Sequence, residues 1–180
     1  MVALTLRKDM LVTIQFVPVE QDEIAYLSKF ATQIWMDYWP DIIGLDQTTY
    51  MVETFLSPSA LTKDIEQNGY SFWMIYDKQE LIGFTGGAVD DATNRYFISK
   101  IYFLPAARGK GYMHEVVSHY DAFCKKENLD AMYLYVNKNN ELGMRAYKGT
   151  GFENKGSYVS EIGAGFVVDD WEFERTCCVE

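Results

Sequence analysis

The stretch ISKIYFLPAARGKGYMHEVVSHYDAF, residues 98–123, constrains this chain more than any other. Its first part is rich in β-branched and aromatic residues and stops at Pro105, which predicts a strand over 94–104. Ala106 to Gly111 is a short loop with two glycines and two cations, Arg108 and Lys110. Beyond it Met113, Val116, Val117, Tyr120 and Phe123 recur on or near one face, which predicts a helix over 111–127. A strand, a Gly-rich cationic loop and a helix start together make an anion cradle. The helix start presents unpaired N–H groups and the positive end of the dipole. Gly109 and Gly111 carry no side chain to hold an anion away, so the amides from Arg108 to Met113 can converge on it. Arg108 and Lys110 add charge at the rim, and the arrangement suits a pyrophosphate.

The rest of the chain bounds what such a cradle can serve. A length of 180 residues, 48% of them hydrophobic, fits one soluble domain spanning 1–180. No apolar run approaches the roughly 20 residues that cross a bilayer, which excludes a membrane span. The start of the chain does not read as a signal peptide, because Arg7, Lys8 and Asp9 follow the first apolar residues. Three cysteines, two of them adjacent (Cys177 and Cys178), fit neither a disulfide framework nor a zinc site, so reduced thiols in a cytoplasm are expected. His114 and His119 are five apart on the predicted helix and do not share a face, so no metal is expected. The net charge of −10 argues against nucleic acid as a partner. That charge is uneven: residues 95–155 hold ten Lys and Arg against six Asp and Glu, and the remainder has a net −14. A small anionic ligand on the positive segment is compatible with an otherwise acidic surface.

Hydrophobic periodicity orders the elements. Residues 11–19 read as a strand, and 20–39 as a helix with Ile24, Leu27, Phe30 and Ile34 on one face. Further helices are expected over 47–55 and 59–67, separated by Ser57-Pro58-Ser59 and stopped by Asn68-Gly69. Strands over 70–76 and 80–90 form a hairpin about Asp77-Lys78-Gln79. After the central strand and helix come a strand over 132–136, a helix over 139–148 and two closing strands. The fold class is α/β (α+β), a mixed sheet with helices on both faces.

Among phosphate motifs, the P-loop pattern is absent, and a dinucleotide fingerprint lacks its third glycine because His114 stands there. Arg108-Gly109-Lys110-Gly111-Tyr112-Met113 fits the pattern R/Q-x-x-G-x-G/A except at the last position. About 30 residues on, VNKNNELGMRAYKGTGF supplies Asn140, Gly143, Tyr147, Gly151 and Phe152, with Gly143 where Ala is commoner. Over residues 70–159 the sequence thus resembles the GNAT superfamily of acyl-coenzyme A N-acyltransferases. The resemblance implies a mostly antiparallel sheet of about seven strands. It implies acceptor-side helices over about 20–67 and a coenzyme A-binding core over about 95–152. It also implies acetyl-CoA as co-substrate, its pyrophosphate on Arg108, Gly109, Lys110, Gly111, Tyr112 and Met113. The backbone of the strand at Ile101, Tyr102 and Phe103 would pair with pantetheine, beside a splayed neighbour. Asn140 would touch the same arm, and it is equally a good helix N-cap. Tyr147 would be the general acid, giving its proton to the departing thiolate in a direct transfer without an acyl-enzyme.

The general base is not visible in the sequence; Asp37, Asp41, Asp46 and Glu53 are the carboxylates available on the acceptor side. Trp35, Tyr38 and Trp39 beside Asp37 and Asp41 suit a cationic amine, or simply a helix end packed on the core. The acidic remainder would draw small polycations, and residues 54–84 are loosely similar to bacterial polyamine N-acetyltransferases of the spermidine/spermine type. The expected partner is therefore a small-molecule amine such as a polyamine. A protein amino terminus, an aminoglycoside, an amino acid, or a non-catalytic coenzyme A-binding sensor are the alternatives. Edges of the closing strands leave room for a homodimer, which nothing in the sequence requires.

Overall fold

The computed structural model describes residues 14–177. The reading of the first residues, the start of the strand expected over 11–19, and Cys178 lie outside them. Within the described residues seven strands form one sheet in the order β1-β2-β3-β4-β5-β7-β6. They are β1 (Ile14–Pro18), β2 (Ser71–Asp77), β3 (Glu80–Asp90), β4 (Arg95–Phe103), β5 (Ala131–Asn137), β6 (Glu153–Gly163) and β7 (Phe166–Thr176). All neighbours are antiparallel except β4 and β5. Among the described residues six α-helices complete it: α1 (Ile24–Tyr38), α2 (Pro40–Ile43), α3 (Leu45–Phe55), α4 (Pro58–Asn68), α5 (Tyr112–Glu127) and α6 (Glu141–Gly149). Every element expected from periodicity is present, and the short α2 is an addition, started by Pro40 at a position where a missing N–H costs nothing.

The sheet carries a core on each face. On one, Val116, Val117 and Tyr120 of α5 pack with Ile98, Leu134, Val136 and Phe173. On the other, Leu27, Ile34 and Trp35 of α1 and Leu61 of α4 pack with Phe72, Met74 and Phe84. Two irregularities at β4 shape what lies between. β4 and β5 pair over only three positions, Arg95 to Phe97, and then part. Each stays bonded to its outer neighbour, β4 to β3 as far as Phe103 and β5 to β7 as far as Asn137, so a wedge opens between them. The second is a bulge: Gly86 pairs with Lys100 and Gly87 with Ile98, leaving Ser99 as the extra residue. The buried Thr85 hydroxyl donates to the Lys100 carbonyl at 2.7 Å and accepts from Tyr120 at 2.7 Å, which fixes the bulge. The bulge shifts the strand's phase. Ile98, Ile101 and Phe103 face α5, whereas Lys100 and Tyr102 face the α1–α4 side.

Candidate active site

The loop before α5 has the form that the glycines permit. Gly109 and Gly111 sit at φ +75° and +85°, a backbone region that strains any other residue. A Cβ at either would meet nothing within 4 Å, so the space above the loop is open. Among the described residues no backbone acceptor takes the amides of Gly109, Lys110 or Gly111. Tyr112, the first helical residue, is buried, and its hydroxyl donates to Asp77 at 2.5 Å, which anchors the helix start. Met113 is half-buried and packs against the α5 core. Lys110 is exposed at the rim as expected, but Arg108 is not. Its Nε donates to the Phe103 carbonyl at 3.1 Å, and its guanidinium lies 4.6 Å from the centre of the Tyr38 ring and 3.7 Å from Asp37. A carbonyl, an aromatic face and a carboxylate together outcompete solvent for the cation.

From the loop a single cavity of about 790 Å³ runs through the wedge between β4 and β5. It is lined by Ile101, Tyr102 and Phe103 on one wall and by Leu134 to Asn137 on the other. Asn140 and Tyr147 enter from α6. Asn140 is 8% exposed, and its Oδ1 accepts from the Gly143 amide at 2.9 Å and from the Tyr38 hydroxyl at 2.6 Å. The cap reading is thus realised, with a tie to α1 added. Gly143 has a local cause, since a Cβ there would stand 2.7 Å from Asn140 Nδ2. Tyr147 packs against Phe152 and Phe173. Burial, with a smaller contribution from Tyr38, pushes its phenol well above the ordinary value, so it holds its proton throughout the physiological range.

The cavity then widens into a chamber under the helices. Trp35, Tyr38 and Trp39 of α1 and the turn after it, and Gln47, Met51 and Phe55 of α3, form the roof. The roof is clasped to the β6–β7 hairpin: Tyr50 donates to the Ile162 carbonyl at 2.6 Å and Gln47 to that of Val167 at 3.1 Å. Asp37, Asp41, Asp46 and Glu53 do not line the cavity, and Asp37 is 54% exposed. Four charged groups that sequence reading passed over do line it: Lys100, Asp64, Asp170 and Arg145. Lys100 is 8% exposed, 3.1 Å from Ser99 Oγ, and near the faces of Tyr70 and Phe72. Burial lowers its pKa to about 8, against a smaller opposing pull from Asp64. Burial raises Asp170 to about 6. No motif marks Lys100 or Asp64. Alternation along Val168-Asp169-Asp170-Trp171 does require the two aspartates to face opposite ways, which was a usable signal.

A cradle for a diphosphate, a wedge between two parted strands, and a protonated phenol in the same cavity fit acetyl-CoA. The Acetyltransferase (GNAT) family profile matches residues 29–152. The chain belongs to the GNAT acetyltransferase family. As a GNAT protein it is an acetyl-CoA-dependent N-acetyltransferase. No curated protein matches it by sequence. Among solved structures it is similar to the PaiA N-acetyltransferase of Thermoplasma acidophilum in complex with coenzyme A, with TM-score 0.74 and 18% identity over 91% of this chain and 99% of that one. It is also similar to the spermidine N-acetyltransferase of Vibrio cholerae in complex with CoA and spermine, with TM-score 0.64 and 18% identity over 91% and 95%. At these identities the likeness is one of fold. Among the described residues no group of three His, Cys, Asp or Glu side chains could hold a metal, and no helix is long and apolar enough to cross a membrane.

Proposed function

We propose that this GNAT protein transfers an acetyl group from acetyl-CoA to the primary amine of a small cationic acceptor, a polyamine first among them. The observation that carries this is the continuity of one cavity from the glycine cradle, past Tyr147, into an aromatic chamber. Acetyl-CoA supplies the activated acetyl group. The amides of Gly109 to Met113 hold its diphosphate, with Lys110 at the rim, and the edge of β4 at Ile101 to Phe103 receives the pantetheine arm. Asn140 stands where it can meet that arm while capping α6. Tyr147 gives its proton to the departing sulphur. Its raised pKa keeps that proton available, and a thiolate released at the same depth is made more basic by the same burial. Trp35, Tyr38 and Trp39 offer faces to an ammonium group. The net −14 outside residues 95–155 and the spermine-bound Vibrio relative support a polycation.

Lys100 favours a second reading. Among the described residues it has no carboxylate at ion-pair distance, so an acceptor carrying a carboxylate beside its amine, such as an amino acid, would complete its environment. A panel of spermidine, spermine, aminoglycosides, amino acids and short peptides decides between them, with coenzyme A release and acetylated product followed by mass spectrometry. Turnover with polyamines is the expected result. Tight acetyl-CoA binding with no transfer to any amine would overturn the proposal. Tyr147→Phe is expected to lower kcat about 100-fold and leave acetyl-CoA affinity within about twofold.

A further inference from the structure

We propose that Asp170 receives the acceptor's ammonium group and takes its proton. The inference rests on the acetyl-transfer reading above but not on which amine is used. Asp170 lies on β7, paired with Asn137 at the end of β5 and with Tyr158 on β6. Its carboxylate lines the chamber, and Oδ1 is buried with no hydrogen-bond partner among the described residues. A native fold seldom leaves a buried acceptor unmet unless something else is to meet it. Tyr102 is close enough to both Tyr147 and Asp170 to feel their charge, and all three line the same cavity.

The Asn137 side chain hydrogen-bonds the Asp170 carboxylate, and the neighbouring charges explain why Oδ1 is still unmet. Lys138, the residue that follows β5, is bound by Asp169, donates to Ser157 at 2.6 Å, and lies 4.6 Å from the Trp171 ring centre. Asp169 and Lys138 therefore form a pair of their own, and beyond burial and the Asn137 hydrogen bond only a residual repulsion from Asp169 and a residual attraction from Lys138 reach Asp170. β6 contributes the phenol of Tyr158, β4 that of Tyr102 and α1 that of Tyr38; burial raises the pKa of the last two. From α3 the cavity takes only Gln47, Met51 and Phe55. Its other charged or titratable linings are Arg108, Tyr112, His114, Arg145 and Tyr147 on the coenzyme side, Tyr135 on β5, and Lys100, Asp64 and Tyr70 near the Ser99 bulge. Burial, the largest influence, brings the carboxyl to about 6, where it is ionised at neutral pH yet basic enough to accept a proton.

The proton balance closes. The ammonium gives one proton to Asp170, and the neutral amine attacks the acetyl carbon. As the C–N bond forms and the C–S bond breaks, the nitrogen loses a second proton. Tyr147 gives its own to the sulphur and is restored by the one from nitrogen. The products are an amide, a thiol and one proton on Asp170, which passes to solvent.

The test compares wild type with Asp170→Asn, an isosteric change, using the amine that turns over best. In the wild type kcat/KM should rise about tenfold per pH unit up to about 6 and then level. In Asp170→Asn, kcat should fall about 100-fold and that limb should vanish. Acetyl-CoA affinity should stay within about twofold, and the melting temperature at pH 7.5 should be equal or higher, because an unpaired buried charge has gone. Should Asp170→Asn fold poorly, Asp170→Ala with added formate replaces it, and its rate should rise with formate concentration. A variant that keeps kcat within about threefold and keeps the limb would overturn the assignment of Asp170 alone. So would an Ala variant that formate does not rescue. A wild type that transfers acetyl to no amine would overturn the acetyl-transfer reading, and this one with it.

Discussion

Lys100 is the residue whose cost is most easily measured. Its ammonium is buried against Ser99, Tyr70 and Phe72, and burial lowers its pKa to about 8. An unfolded lysine keeps its proton to about 10.4. Between those values the unfolded state binds more protons than the folded one, so this residue makes stability rise with pH. Below about pH 8 the cost of the buried charge is present in full. Lys100→Met is therefore expected to stabilise the protein at pH 7, by up to roughly 3 kcal/mol. The gain should fade as pH rises through 8 towards 10.5, and urea unfolding at pH 7, 9 and 10.5 reads it. A gain that does not change with pH would mean that methionine packing, not charge removal, was responsible. Tyr147 acts in the opposite direction only above about pH 10, where an unfolded tyrosine loses its proton and the folded one keeps it.

Among the elements, the clasp between α3 and the β6–β7 hairpin decides the shape of the acceptor chamber. Gly163 is at φ +102°, and a Cβ there would lie 2.3 Å from the Tyr50 hydroxyl. Gly163→Ala should therefore break the bond from Tyr50 to Ile162 and strain the turn, at a cost of about 1–3 kcal/mol. The expected kinetic result is a severalfold rise in KM for the acceptor, with acetyl-CoA affinity unchanged, since the cradle is on a separate loop. Gly111→Ala is the complementary test. Its φ of +85° disfavours alanine although no protein atom stands in the way. Acetyl-CoA affinity should fall at least about tenfold there, while the clasp stays intact. Titration calorimetry with acetyl-CoA separates the two variants.

At the scale of the molecule, charge is segregated. The segment from Arg95 to Lys155, which holds the cradle and α6, has a net +4, and the remainder has a net −14. An acidic surface raises the encounter rate of a polycation and loses that effect as salt screens it. For a polyamine acceptor kcat/KM should fall severalfold between about 20 and 300 mM salt, and for a zwitterionic amino acid it should hardly change. Steady-state kinetics across that range is the check.

What the sequence by itself determined about this protein is local in origin. The order of the elements followed from periods of two and 3.6 residues and from turn residues. The glycine cradle followed from one loop, and Tyr147 and Asn140 from one motif on one helix. Each of these is settled by neighbours within a few positions, which is why the family was legible over residues 70–159. Even the departure at Gly143 turned out to be local, being set by the Asn140 cap. The tertiary structure decided the rest. A period of two gives a strand two faces without saying which meets a ligand, and one extra residue exchanges them. The bulge at Ser99 does that, and it sends Lys100 into the acceptor chamber. Arg108 turned from the rim to Phe103 and Tyr38 because α1 lies there, more than 60 residues earlier in the chain. The four acceptor-side carboxylates stayed outside the chamber, and Asp170 entered it from β7. That exchange depends on how α3 docks on a hairpin over 100 residues away, and no local pattern encodes a distance of that kind.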